Sequence, residues 1–375
     1  MSIQRIVGLF FALQASVAIA QNYTEVHEPT IITFDAPGAG TGPGQGTLAL
    51  DINEEGAVTG WYVDTNSATH GYLRARDGTI NEFDPLGAGT GAGQGTLGLD
   101  VNSANAITGE YLDTNYVWHS YVRAYDGAIT EFDVKGIGSG PFQGTQAASI
   151  NDAGLIAGYY TDANNANHGF LRVADGAVTE FDPPGAGLGA GQGTLVALGW
   201  SLTSVGTIVG TFIDANNLQH GYLRTRSGGI TEFNVPGAGT GPFQGTLASG
   251  INSATMNTGW YVDTNNVAHG YIRAPWGAII KYDALGAGTL SGQGTFGYGI
   301  SDVGTIAGNY VDANNVNHGY LRSPDGTITK IDAPGAGTLP GQGTLLFDTN
   351  VAGWATGYYV DSNGVSHGLL LLHHR

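Results

Sequence analysis

The chain has 375 residues, no cysteine, 63 glycines and a formal charge of −18. Without cysteine there is no disulfide framework and no lipid-attached N-terminal thiol. The acidic surplus excludes nucleic acid and anionic membrane surfaces as partners, since both are held through clustered Lys and Arg.

In chain order, the first element is a leader. Arg5 supplies a positive n-region, residues 6–13 are apolar, and Ala18-Ile19-Ala20 reads as an A-x-A cleavage site before Gln21. The apolar stretch is too short, and too broken by Gln14 and Ser16, to span a bilayer. Residues 1–20 are therefore expected to be a signal peptide and the mature protein to be secreted, extracellular or periplasmic. No other segment reaches membrane-spanning length, so no membrane insertion is expected.

Residues 30–35 (Thr-Ile-Ile-Thr-Phe-Asp) read as a strand ending in a recurring motif, F-D-x-P-G-A-G. Its Asp returns at Asp35, Asp84, Asp133, Asp182, Asn234 (substituted), Asp283 and Asp332, with spacings of 49, 49, 49, 52, 49 and 49 residues. Seven such units cover the mature chain, and units of this kind bury their apolar faces against neighbours. Each carries four short strand signals, at residues 47–52, 57–63, 71–75 and 79–83 in the first. Asp77-Gly78 supplies the turn before the fourth, read as a two-residue type I′ hairpin.

No segment keeps a helical period over ten residues. Four strands repeated seven times predict an all-β, seven-bladed β-propeller with four-stranded antiparallel blades, forming one domain over residues 21–375. The ends support closure. The last unit stops after its third strand, near Leu371, and residues 30–35 are a fourth strand lacking its first three. Pairing the two removes the exposed edges of an open array.

Alternating strands place the loop entering each inner strand and the turn between second and third strands on one face. The loop is Gly-rich and ends at Gln45, Gln94, Gln143, Gln192, Gln244, Gln293 and Gln342, expected to ring the channel mouth. The turn has the form D-x-N-x-x-x-H, as in Asp64, Asn66 and His70, or Asp113, Asn115 and His119. One reading is a turn fastened by its own side chains; the other is a ligand site repeated on a rigid face. Asp64 and Asn66 offer oxygens at alternate positions, as calcium loops do, but the later ligands of an EF-type loop are missing. No cofactor is expected apart from calcium at these two residues; zinc would need several His to converge, and these lie on different blades. The G-x-G spacings precede a strand and not a helix, which excludes a dinucleotide fingerprint. Arg74 and its counterparts in the third strand are expected to pair with Glu82 and its counterparts across the blade.

The block H-G-[YF]-[LVI]-R, preceded by I-x-G-x-[YF]-x-D and followed by F-D-x-P-G-A, resembles the extracellular HAF-repeat family. The resemblance covers all seven units. It departs at Gly where the family name has Ala, and at Ser120. It implies an exported bacterial repeat protein and no particular activity.

Catalysis needs a constellation unlike its surroundings, and almost every polar group here has six copies. The departures are a three-residue insertion near residues 198–202, which introduces Trp200, and the aromatic turn of Tyr116 and Trp118. The expected function is a non-catalytic, monomeric binding or interaction propeller whose partner is an extracellular glycan or protein. Multivalent carbohydrate recognition on the loop-rich face is its most testable form. The alternatives are a polysaccharide lyase or glycoside hydrolase with its site near the insertion, and a cell-surface scaffold.

Overall fold

The computed structural model describes residues 29–372; the leader, residues 1–20, lies outside them. In the first blade the inner strand Gly46–Ile52 pairs with Val58–Val63, that strand with Thr69–Arg74, and the last with the outer strand Ile80–Phe83, all antiparallel. Six further blades repeat this order, so the described residues form 28 strands in seven groups of four. The seventh blade takes its outer strand from the other end of the chain. Thr30–Phe34 pairs antiparallel with Ser366–Leu372, from Thr30 opposite Leu372 to Phe34 opposite Gly368. The ring is thus closed by the two ends, as the sequence predicts. Among the described residues no helix is long and apolar enough to cross a membrane.

Strand alternation explains how the blades stack. The fourth residue of the third strand is Tyr72, Tyr121, Phe170, Tyr222, Tyr271 and Tyr320 in six blades, each wholly buried. Each ring meets the outer-strand aromatic of the preceding blade edge-on, as with Phe34–Tyr72 at 6.1 Å and Phe83–Tyr121 at 5.8 Å. One residue earlier stands a glycine in five of these blades and Ser120 in the second; at Gly71 the ring of its own blade's outer strand lies over it, and a Cβ would come 2.7 Å from the Phe83 ring. Burying one such ring contributes about 2–3 kcal/mol, and the repeat applies that contribution at nearly every blade interface.

Two expectations change. The arginines do not pair with the blade glutamates. Arg74, Arg123, Arg172, Arg224, Arg273 and Arg322 lie over the outer-strand aromatic of the preceding blade, 4.6–5.0 Å from the ring centre. Spacing within one unit cannot show this, because the ring that receives each guanidinium lies in the preceding blade, as Phe34 does for Arg74. The glutamates turn instead to the entry loop of their own blade: Glu82 accepts from Gly38 N–H at 2.7 Å, and Glu131 accepts from Gly87 N–H and Tyr111 Oη–H. The Asp77-Gly78 hairpin is also not type I′. Ala75 and Thr79 close a three-residue loop, and only Gly78 has positive φ (94°). That is the turn-plus-bulge hairpin of slightly longer loops.

At the end of the channel away from the entry loops, two polar ladders join successive blades. Asn53 Nδ2 donates to Asn102 O, Asn102 Nδ2 to Asn151 O, and Asn350 Nδ2 to Asn53 O. Beside them are three buried carboxyls from adjacent blades. Asp51 accepts from Val101 N–H and Asp100 from Ile150 N–H, both at 2.8 Å, while Asp348 accepts from Ile52 N–H at 3.4 Å. Burial first, and then the neighbouring carboxyls, pushes all three upward, Asp100 to about 8. Among the described residues no group of three or more His, Cys, Asp or Glu is arranged to hold a metal ion.

Candidate functional site

The repeated turn is fastened from within. Asp64 Oδ1 accepts from the backbone N–H of Asn66 and of Ala68, each at 2.8 Å, and Asn66 Nδ2 donates to Asp64 Oδ2 at 3.1 Å. Asp113 and Asn115 repeat the arrangement. Partial burial raises the Asp64 carboxyl, but the donations from Ala68 and Asn66 together with His70 outweigh it, so its pKa lies below the ordinary aspartate value. A calcium ion at Asp64 and Asn66 would compete with these bonds.

The histidines lie in the third strand and tie neighbouring elements together. His70 Nδ1 meets Asp84 at 2.7 Å, its Nε2 is 3.8 Å from Asp64, and its ring stacks on Tyr62. His119 does the same with Asp133, Asp113 and Tyr111. The hydrogen bond from Asp133 raises the His119 pKa above the usual histidine value, against the effect of burial.

The glutamines fasten their own loops. Each Oε1 accepts a backbone N–H three residues upstream: Gly42 for Gln45, Gly91 for Gln94, Gly140 for Gln143, Gly189 for Gln192, Gly241 for Gln244, Leu290 for Gln293 and Leu339 for Gln342. The amide of Gln143 donates to Asn165 Oδ1 and that of Gln94 to Thr114 O, reaching the turn of the same blade. Tyr116 shares the positive φ that this turn position has in every blade, 62° here and 64° at Ser67, and its ring lies 5.9 Å from exposed Phe142. Trp118 is half-buried at the start of its strand, opposite Gly144 of the next blade.

Trp200 sits elsewhere. The inner strand of the fourth blade is cut short at Gly193–Val196, and the chain leaves it across the axis before an isolated bridge, Leu202 to Ile208, restores pairing. Gly199 N–H donates to Ala148 O of the third blade at 2.9 Å, and Trp200 O accepts from Ile251 N–H of the fifth at 3.0 Å. Gly199 is required at this crossing: its φ is 75°, and a Cβ would reach within 3.0 Å of Leu99 O in the second blade. The Trp200 ring stacks on Phe347 of the seventh blade at 6.1 Å, while its Nε1–H donates to Ser249 Oγ at 2.8 Å. The insertion is a plug across the channel.

The plug leaves a cup of about 350 Å³. Every blade contributes to its wall, through Leu50, Glu110, Tyr159, Leu195, Trp260, Tyr298 and Phe347 in blade order. The aromatic members are continuous: Trp260 meets Tyr298 at 5.5 Å, and Tyr298 meets Phe347 at 5.0 Å. Glu110 is 6% exposed, and its carboxyl makes no hydrogen bond or ion pair with any described residue. Burial pushes it up to about 8. Among the described residues it is the one carboxyl lining the cup, whereas glycoside hydrolysis by the usual route needs two.

Apart from Trp200, the cup residues are absent from the sequence-based site, although a signal for them exists. Aligning the seven units column by column, the fourth residue of the second strand is Trp61, Glu110, Tyr159, Thr211, Trp260, Asn309 and Tyr358, five residue types in seven copies. The next column is Tyr62, Tyr111, Tyr160, Phe212, Tyr261, Tyr310 and Tyr359. Four of the variable column, Glu110, Tyr159, Thr211 and Trp260, line the cup, whereas the constant column stacks on the strand histidines, as Tyr62 does on His70.

Closed ring, four-stranded blades and axial cup together define a seven-bladed β-propeller with one asymmetric pocket. No family model and no curated protein sequence matches the chain. Among solved structures it is similar to the BP39L lectin from Burkholderia pseudomallei, with 10% identity over 87% of this chain and 98% of that one, at a TM-score of 0.54. It is also similar to a structure from a study of two prolyl endopeptidases, with 11% identity over 90% of this chain and 50% of that one, at a TM-score of 0.50. At such identities the likeness shows the fold.

Proposed function

We propose that this chain is an exported binding propeller, of the HAF-repeat kind, that recognises an extracellular carbohydrate, and that the axial cup is its principal ligand site. The observation carrying this reading is that the inserted Trp200 and four variable second-strand residues, Glu110, Tyr159, Thr211 and Trp260, line one solvent-accessible cavity. Sugar rings stack their C–H faces on aromatic planes, and the cup supplies those planes through Trp260 and its neighbours. The repeated turns and loops supply few aromatics, and their polar groups are committed to internal hydrogen bonds. A volume of 350 Å³ lies at the small end of ligand pockets, roughly 300–1,000 Å³, which suits one or two sugar residues.

Glycan-array screening of the mature protein, followed by calorimetry on wild type and Trp260→Ala, tests the reading. Binding with a stoichiometry near one, weakened at least tenfold in the variant, is expected. A flat array and flat calorimetry refute carbohydrate recognition. Binding with a stoichiometry near seven, indifferent to Trp260, returns the site to the repeated loops.

A further inference from the structure

Glu110 has no structural task that accounts for it. The second strand's fourth position holds Trp61, Tyr159, Trp260 and Tyr358 in four other blades, all neutral and able to fill space. The Glu110 side chain is 6% exposed, has no protein donor and opens only on the cup, so ionising it there is costly until a counter-charge answers it. The groups around it do not. Leu97 lies opposite on the inner strand and Ser120 on the third strand, and the Ser120 hydroxyl donates to Thr145 O. The titratable side chains that sense Glu110 are Tyr121 in the third strand and Tyr159 in the next blade, both held by burial far above the usual tyrosine value. The Tyr159 hydroxyl is itself committed to Gln146 Oε1 at 2.9 Å. Among the described residues no Lys, Arg or His lines the cup.

What remains is a lone acid facing a wall of indole and phenyl faces. That pairing has a defined complement. Aromatic faces attract cations through the ring quadrupole, most strongly where water is excluded, and organic ammonium groups are the ligands usually held this way. A carboxyl in the same cavity supplies the counter-charge, and the chain's formal charge of −18 favours the approach of a cation.

We propose that the cup takes its ligand by an organic ammonium group, seated between the Glu110 carboxyl and the aromatic wall of Trp260 and Tyr298. This rests on the reading of the cup as the ligand site and names the chemistry recognised there. The ammonium can come from a de-N-acetylated hexosamine or from a quaternary ammonium compound. Glu110 is protonated in the empty cup at neutral pH and gives its proton to solvent as the cation enters, so affinity rises with pH, approaching tenfold per unit below about 8. A primary amine loses its own charge at higher pH, whereas a quaternary ammonium does not, so the latter isolates the titration of Glu110.

The test is a titration of the folded, mature protein followed by tryptophan fluorescence, with three probes: N-acetylglucosamine oligomers, their de-N-acetylated counterparts, and tetramethylammonium. Wild type and Glu110→Gln are compared at pH 6, 7 and 8, with melting temperatures as the folding control. Expected are binding of one or both cationic probes, at least tenfold preference over the neutral oligomer, and loss of that preference in Glu110→Gln. For the quaternary probe, wild-type affinity should rise with pH, a readout that needs no variant. Equal binding of neutral and amino oligomers, unchanged in Glu110→Gln, overturns the ammonium inference while leaving the cup as a site. Binding of tetramethylammonium but of neither saccharide supports it and refutes the carbohydrate reading. No response to any probe overturns both.

Discussion

The buried carboxyls at the plain end of the channel give the stability of the ring an unusual dependence on pH. In the unfolded chain Asp100 has a pKa of about 3.9; in the fold, burial raises it to about 8. Between these values the folded protein holds a proton that the unfolded chain has released. Stability is then greatest at the acid side of the window and falls as pH rises through the folded value. The slope is about 1.4 kcal/mol per pH unit for each such proton, so Asp100 alone accounts for roughly 4 kcal/mol between pH 5 and 8. Asp51 and Asp348 act in the same direction. Turn carboxylates such as Asp64 and Asp113 have lowered values, so their contribution is lost only as pH falls through the acid range and leaves this window undisturbed. His119, raised by its bond to Asp133, and Glu110 add to the decline above their unfolded values. Asp100→Asn isolates the effect, because the amide oxygen can still accept from Ile150 N–H while the titration disappears. Urea unfolding of wild type and Asp100→Asn at pH 5, 6, 7 and 8, at constant ionic strength, should show wild-type stability falling across the series. The variant should fall less steeply by about 1.4 kcal/mol per unit. A wild-type profile that is flat or rising, or equal slopes in the two proteins, refutes the protonated-carboxyl account.

Three further outcomes follow from the packing. Removing residues 21–34 takes away the strand Thr30–Phe34 and bares Leu369, Leu370 and Leu371, which are at most 3% exposed; a melting-temperature loss of more than about 10 °C is expected, with self-association on size-exclusion chromatography. Gly95→Ala should cost about 3 kcal/mol or more in urea unfolding, since Gly95 has φ of 111° and a Cβ there would collide with the Thr69 carbonyl oxygen. Asn151 Nδ2 donates to Thr203 O and Ser204 O, and its Oδ1 accepts from Ala153 and Leu155 N–H. Asn151→Ala should therefore lose about 2–4 kcal/mol in urea unfolding.

The architecture was legible because its signals lie within one unit or at the two ends. A period of 49 residues, strand alternation inside it, and an orphan fourth strand at residues 30–35 suffice to specify a closed ring. The contacts of Arg172 were not legible, since its partner Phe132 belongs to the preceding blade and nothing in the local pattern distinguishes stacking from ion pairing. The hairpin at Asp77-Gly78 was misjudged because two- and three-residue loops share the same Asp-Gly signature, and only the pairing of Ala75 with Thr79 separates them. The cup was the hardest to see. Leu50, Glu110 and Trp260 look like ordinary strand residues until seven inner edges are brought to one axis.

That convergence also bears on how far variation between units can be taken as a mark of function. A side chain facing the next blade meets the same geometry seven times and can be the same residue seven times, as the Tyr62 column nearly is. Side chains pointing to the axis share one space, and seven indoles at the position of Trp61 and Trp260 would not fit a cup of 350 Å³. Part of the diversity there is therefore demanded by packing alone. Packing, however, asks for apolar or internally bonded groups of complementary size. It accounts for Thr211, whose hydroxyl accepts from Ala248 N–H. Asn309 donates to Asn317 Oδ1 but leaves its own Oδ1 buried without a partner, so packing accounts for it only in part. Glu110 is the acidic member of the column, and its carboxyl opens on the cup with no protein donor, which makes it the residue through which a ligand-binding role is separated from the geometry of ring closure.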